Sequence, residues 1–172
     1  MSSDGFTIGV LTLSDKGSRG EREDVSGVLV GEMVQPLGVV ARYQIIADDV
    51  ETIVLTLCRW ADEVGLDLIL TTGGTGLTPR DVTPQATARV LDYEIPGMAE
   101  AMRAASLKKT PHAMLSRALV GVRANSLIVN LPGSPKAAKE NLEVLMPALG
   151  HALAKLKGDP SDCAISEEPV KL

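Results

Sequence analysis

The stretch LILTTGGTGLTPRDVTP, Leu68 to Pro84, decides the fold. An apolar run closes on two threonines. Three glycines then fall within four residues, followed by Arg80, Asp81 and two prolines. The apolar run, taken from residue 66 to 72, has the pattern of a strand buried on both faces. Thr83-Pro84 has the signature of a helix start, with a hydroxyl at the N-cap and proline at the first helical position. A buried strand, a glycine loop and a helix in this order form the repeating unit of an α/β sheet.

The same unit recurs on either side. Residues 6–14, FTIGVLTLS, form another nearly continuous apolar run, followed by the polar loop DKGSRGERED. Val25, Leu29, Met33 and Leu37 are then spaced four apart, as on one side of a helix. Residues 38–46 predict a second strand. Ile53, Val54, Leu57, Trp60, Ala61 and Val64 predict one face of a second helix. Beyond the glycine loop, Pro96-Gly97 ends the helix begun at Thr83, and residues 98–109 predict another. Strands at 118–123 and 126–131, separated by Ala124-Asn125, predict a hairpin. A last helix starts near Pro135 with Ala138, Leu142, Leu145, Met146, Leu149, Leu153 and Leu156 on one face, and Pro147 predicts a kink in it. Alternating strands and helices give an α/β domain with a mainly parallel sheet. No repeat or linker divides the chain, so residues 1–158 read as a single domain and 159–172 as a polar C-terminal tail.

Open α/β sheets bind ligands beyond the carboxyl ends of their strands. Four stretches of unusual residues converge there: Ser14-Asp15, Asp48-Asp49, the glycine loop, and the LPGSP turn from Leu131 to Pro135. Glycines let a ligand approach the backbone, and successive N–H groups form an anion nest. Thr71, Thr72 and Thr75 add hydroxyls. Phosphate or pyrophosphate suits such a site, and a plain strand-to-helix turn is the alternative. The loop is neither a Walker A sequence nor the dinucleotide fingerprint. Asp81 with Asp48 or Asp49 offers carboxylate ligands for Mg²⁺, and helix capping is the competing role for either residue of the pair. Ser134 and Pro135 predict a helix N-terminus with Lys136 and Lys139 in its first turn, a suitable place for an anion. Arg80 either grips a phosphate or pairs with a carboxylate. Ser116-Arg117 is within reach of a ligand. His112 and His151 read as minor, with His151 packed among alanines and leucines. No Ser/His/Asp or Cys/His set stands out. Catalysis by positioning and electrostatics is therefore expected, as in phosphoryl or nucleotidyl transfer.

Composition narrows the partners. The chain has 172 residues, 45% of them hydrophobic but only 2% aromatic, and a net charge of −5. An acidic chain with few rings is a poor nucleic-acid binder. Its two cysteines, Cys58 and Cys163, fit no metal spacing and no disulfide framework. No window reaches the length of a membrane span. A soluble cytoplasmic protein is expected, with no nucleic-acid or membrane partner.

TTGGTGLTPRDVTPQAT together with LPGSP resembles the molybdenum-cofactor biosynthesis family, and within it the molybdopterin adenylyltransferases and the G domain of gephyrin. The likeness extends through GVLTLSD, DLILTTGGTG, TPHAMLSR, LIVNLPGSP and LMPALGHALAKLKGD, and covers roughly residues 6–158. The resemblance implies a three-layer α/β fold with helices on both faces of the sheet, usually as a homotrimer. It implies a single molybdopterin-binding domain that transfers AMP from Mg-ATP to the terminal phosphate of molybdopterin, releases pyrophosphate and delivers the product to a molybdenum insertase. A non-catalytic molybdopterin carrier or scaffold of the same fold is the alternative. By position, Asp81 and Asp48 match the family's catalytic, Mg²⁺-binding aspartates. Ala47 stands where relatives often have proline, and Asp49 replaces Asp48 if the register is off by one. Thr72, Gly73, Gly74, Thr75 and Gly76 would hold phosphate. Ser14, Ser116, Pro132, Gly133 and Ser134 would line the pterin and nucleotide pockets.

Overall fold

The computed structural model describes residues 5–160. Six strands form one sheet in the order β2-β1-β3-β6-β5-β4, with β1 at Phe6–Leu13, β2 at Gly38–Ile46, β3 at Leu68–Thr72, β4 at Tyr93–Glu94, β5 at Val120–Arg123 and β6 at Ser126–Leu131. β2, β1, β3 and β6 are parallel, and the last two strands pair antiparallel. Successive side chains of a strand point to opposite faces. Ile8 and Val10 of β1 accordingly join Leu68 and Leu70 of β3 in one apolar cluster. Leu11, Leu13 and Ile69 enter the other. Both faces are covered, as the uninterrupted apolar runs require.

The helices are α1 at Asp15–Ser18, α2 at Val25–Met33, α3 at Val50–Cys58, α4 at Thr83–Val90, α5 at Pro96–Leu107 and α6 at Pro135–Leu156. α3 and α4 pack together, and so do α2, α5 and α6 on the opposite side of the sheet. The result is the expected three-layer arrangement. The α6 stripe is buried as its spacing predicts, from Ala138 through Leu142, Leu145 and Leu149 to Leu153.

Several local expectations need correction. The spaced line Val25, Leu29, Met33, Leu37 is covered only in part, with Met33 and Leu37 packed half-buried against the core. The buried residues of α2 are Ser26, Gly27 and Val30, continued by Val34, and Val25 is 54% exposed. α3 continues beyond Cys58 as π-helical turns, Arg59–Val64, and closes on Gly65 at φ 69°. Residues 15–18 form one helical turn rather than loop. α4 ends at Val90, the two-residue strand β4 follows, and Pro96 opens α5 rather than ending its predecessor. His151 lies on the exposed side of α6, not among the packed leucines. The tail beyond Pro160, with Cys163, lies outside the described residues. No helix among those described is long and apolar enough to cross a membrane.

Register places the functional rim. Thr12 of β1, Thr72 of β3 and Leu131 of β6 are level across the sheet, and Leu13 is level with Ile46 of β2. The four segments that leave these strands therefore meet along one edge.

Candidate active site

The glycine loop is shaped by close approach. Gly73 and Gly74 have φ of 107° and 66°, in the region that side chains disfavour. A Cβ on Gly73 would sit 2.4 Å from the Leu13 carbonyl oxygen, and one on Gly74 would sit 2.3 Å from Thr83 Oγ1. Thr83 donates its hydroxyl to Gly73 O at 2.9 Å and its N–H to Gly74 O at 3.1 Å, closing the turn onto α4. Gly73 N–H is taken by Leu131 O at 3.1 Å. Among the described residues no hydrogen bond takes the N–H groups of Gly74, Thr75 or Gly76. The loop is thus a tight turn and also presents three consecutive open donors, which is the chemistry of an anion nest.

The aspartates divide by role. Asp49 caps α3, accepting from Thr52 N at 2.9 Å and Thr52 Oγ1 at 2.7 Å. Asp48 faces the rim. Its Oδ2 accepts from Asp15 N at 3.0 Å, and its Oδ1 lies 3.2 Å from where a Gly74 Cβ would be. Arg80 clamps Asp15 through Nε and Nη2 at 2.8 and 2.7 Å. These bonds hold the Asp15 carboxyl below the usual carboxylate range. Burial, partly countered by the Asp15 N–H, pushes Asp48 up, and the negative charges of Asp15 and Asp81 add to the rise. Asp81 Oδ2 accepts from Thr78 N at 2.8 Å, and the carboxylate packs against the bare Cα of Gly76.

Two cavities flank the loop. A cleft of about 560 Å³ is lined by Ser14, Asp48, Gly74, Asp81, Gly133 and Ser134, with Thr72, Gly73 and Asp24 in its wall. A smaller cavity of about 280 Å³ is lined by Thr75, Gly76, His112, Ser116 and Pro132. The loop is their common wall. Its residues 73, 74 and 81 face the cleft, and 75 and 76 face the smaller cavity. Gly133 belongs to the partition as well, since a Cβ there would press to 3.2 Å from Gly73 Cα.

Ser14, Asp48, Thr72, Gly73, Gly74, Arg80, Asp81, Gly133 and Ser134 thus border the cleft, and Thr75, Gly76, His112, Ser116 and Pro132 the smaller cavity, whereas Asp15, Asp49, Thr71, Arg117, Lys136 and Lys139 line neither. Thr71 is fully buried beneath the loop, where it accepts from Asn130 Nδ2 at 3.0 Å, so it offers no donor to a ligand. The Thr72 hydroxyl donates to Pro132 O at 2.7 Å and thus receives its 2.6 Å contact from Ser26. Thr72 ties the glycine loop to the LPGSP turn. Ser14 and Ser134 are N-caps, accepting from Gly17 N at 3.0 Å and Ala137 N at 3.5 Å. Lys139 pairs with Glu143 at 3.9 Å along α6. Sequence reasoning did not give Asp15 or Asp24 a role in the site. Asp24 caps α2 through Gly27 N at 2.8 Å and accepts from Thr12 Oγ1 and Tyr43 OH, each at 2.5 Å. Asp15 had a signal, its place directly after the first strand. Asp24 had only the general capping preference.

Residues 9–151 match the family described as probable molybdopterin binding domain. A molybdopterin adenylyltransferase of Helicobacter pylori J99 is 43% identical over 157 residues, covering 88% of this chain and 88% of that protein. The molybdenum cofactor synthesis protein cinnamon of Drosophila melanogaster is 41% identical over 160 residues, which are 91% of this chain but 26% of cinnamon. The crystal structure of the molybdopterin biosynthesis enzyme MoaB of Thermus thermophilus superposes with a TM-score of 0.84 at 53% identity, over 90% of this chain and 98% of that one. The polar rim built around an open glycine nest thus belongs to a member of the molybdopterin-binding domain family of molybdenum cofactor biosynthesis.

Proposed function

We propose that the protein is a molybdopterin adenylyltransferase, which joins AMP from ATP to the terminal phosphate of molybdopterin and releases pyrophosphate. One observation carries the reading: Asp48 and Asp81 border the same cleft as Gly74, the first of three consecutive open backbone donors that continue into the wall of the smaller cavity. A phosphate oxygen of molybdopterin attacks the α-phosphorus of ATP. The bond from that phosphorus to the bridging oxygen breaks, and its electron pair leaves on pyrophosphate. The N–H groups of Gly74, Thr75 and Gly76 would hold phosphate oxygens in line for attack. The smaller cavity, with its ring of Ser116, His112 and Pro132, would seat a flat heterocycle.

Asp48 and Asp81 fit Mg²⁺, which commonly takes one or two carboxylates and completes its shell with phosphate and water. The described residues include no cluster of three His, Cys, Asp or Glu side chains that could hold a metal, so the two aspartates would share the ion with phosphate and water. The burial and like charge that push Asp48 upward are stresses that a bound cation relieves. When bound, Mg²⁺ would neutralise charge on the transferring phosphates.

Further parts of the proposal rest on the family resemblance: a homotrimer, a cytoplasmic setting, and transfer of the adenylylated product to a molybdenum insertase. The match to one quarter of cinnamon supports a domain that works beside others. Purified protein, molybdopterin and Mg-ATP should release pyrophosphate at a rate that depends on both substrates. Molybdopterin binding without pyrophosphate release would replace the enzyme with a carrier. Sedimentation at micromolar concentration tests the trimer, and a monomer there would contradict it.

A further inference from the structure

We propose that Arg117 is the positioning residue that fixes the wall shared by the two cavities, and through it the place of Asp81. The inference rests on the adenylyltransferase reading for its effect on turnover, but not for its structural content.

The guanidinium of Arg117 forms no carboxylate pair among the described residues. Its Nε donates to Gly76 O at 2.8 Å and its Nη2 to Asp81 O at 2.5 Å. Its own N–H donates to Thr75 O at 3.0 Å. One residue thereby takes three carbonyls of the loop, spread over both cavity walls. A charged donor on a carbonyl makes a stronger hydrogen bond than a neutral one. The planar fork also fixes the separation of Gly76 from Asp81, which a flexible ammonium would not.

The segment behind Arg117 is anchored to the core. Arg103 of α5 donates to Ala118 O at 2.9 Å. Leu119 exchanges bonds with Asn130 of β6, its N–H to Oδ1 at 3.2 Å and its carbonyl from Asn130 N at 3.0 Å. Asn130 is fully buried and holds Thr71 and Thr87 as well. The loop by contrast has little packing at its tip, where Leu77 is 63% exposed. Thr83 fixes its base at Gly73 and Gly74, and Arg80 reaches out to Asp15. Between those points, Arg117 transmits the rigidity of β6 to the loop. Ser116, its neighbour, lines the smaller cavity, so a ligand there leans on the same segment that holds Asp81.

The test compares Arg117→Gln and Arg117→Lys with the parent by three measurements. Amide hydrogen exchange at Thr78 and Asp81, whose N–H groups are bonded within the loop, should speed up in both variants, while exchange in β6 stays as in the parent. Turnover should fall about 100-fold in kcat for Arg117→Gln, the scale of a reacting group misplaced by about 1 Å, with KM for ATP much less changed. Added guanidinium should restore part of that kcat, and Arg117→Lys should lie between. Unchanged exchange at Thr78 and Asp81 in either variant overturns the proposal, whatever the activity. So does a kcat loss that guanidinium leaves untouched and that only follows a lowered thermal midpoint. If Arg117→Gln does not fold, Arg117→Lys carries the test, and parity with the parent in exchange and kcat overturns the proposal. Parent protein that releases no pyrophosphate would count against the adenylyltransferase reading, and the exchange result would still decide the role of Arg117.

Discussion

Asp15 and Asp48 hold each other by reciprocal hydrogen bonds: Asp48 Oδ2 accepts from Asp15 N at 3.0 Å, and Asp15 Oδ1 accepts from Asp48 N at 3.1 Å. The ends of β1 and β2 are thereby locked in register where the rim with the proposed site begins. The arrangement brings two carboxylates together, and the pKa of Asp48 is raised, chiefly by its burial, with the Asp15 N–H offsetting part of the rise.

A stability–activity opposition follows at Asp48. Asn in its place keeps an oxygen to accept from Asp15 N and removes the charge that burial disfavours. Asp48→Asn should melt at or above the parent temperature at pH 7, yet lose about 100-fold or more in turnover, the scale of a lost electrostatic contact in a transition state. Asp81→Asn should lose turnover similarly. Calorimetry and pyrophosphate release measure the two properties. Near-parent turnover in both variants would remove their proposed catalytic role.

Asp49 should behave in the opposite way. As the N-cap of α3 it satisfies Thr52 N and Thr52 Oγ1. Asp49→Ala should lower the thermal midpoint by about 2–4 °C, as loss of an N-cap does in a chain of this size, with pyrophosphate release near the parent rate. A collapse of turnover without a loss of stability would move the functional acid from Asp48 to Asp49.

The sequence carries most of the layer architecture, because buried parallel strands are continuous apolar runs and α6 has a clean stripe. It does not carry the orientation of α2. That helix has valines on several sides, so spacing alone selects no face. The decision falls to Ser26, whose hydroxyl reaches Thr72, and to Gly27, where a Cβ would lie 2.3 Å from Thr12 Oγ1. Both are small residues that hydrophobic periodicity ignores. At the site, the glycines and Asp81 stand out by composition. The partition of hydroxyls does not, because Thr71 and Thr72 differ in role only through Asn130 and Pro132, some 60 residues away. The π-helical turns after Cys58 have no clear sequence signal.

Acid should uncouple Asp15 from Arg80. The folded pKa of Asp15 lies below its ordinary value, chiefly through the Arg80 bonds. Its contribution to stability is therefore present above the unfolded pKa, about 4, and is lost as the pH falls through the lower folded value. Asp48 works in the other sense, since its raised pKa makes protonation favour the fold as the pH drops. The midpoint difference between the parent and Asp15→Asn should be small but measurable at pH 7, in keeping with an exposed pair. It should shrink toward zero as the solution is acidified below about pH 4. A difference that stays constant from pH 7 to strong acid would show that the Asp15 charge contributes nothing.

Gly76 offers the finest adjustment of the site. Unlike Gly73 and Gly74, it is not in the left-handed region, so alanine brings no backbone strain. The atom nearest an added Cβ is Asp81 Oδ2 at 3.0 Å, the end of a side chain that can yield. Gly76→Ala should therefore displace the Asp81 carboxylate by a few tenths of an ångström and leave the core untouched. Pyrophosphate release should fall about tenfold, less than for outright loss of the acid, because a full 1 Å misplacement costs about 100-fold. The thermal midpoint should stay near that of the parent. Gly74→Ala provides the contrast: at φ 66° and with Thr83 Oγ1 only 2.3 Å from the new methyl, it must break the turn that seats α4. There stability and ligand binding should fall together. If Gly76→Ala turns over like the parent, the position of the Asp81 carboxylate is not critical to the reaction, and its proposed part in holding Mg²⁺ fails with it.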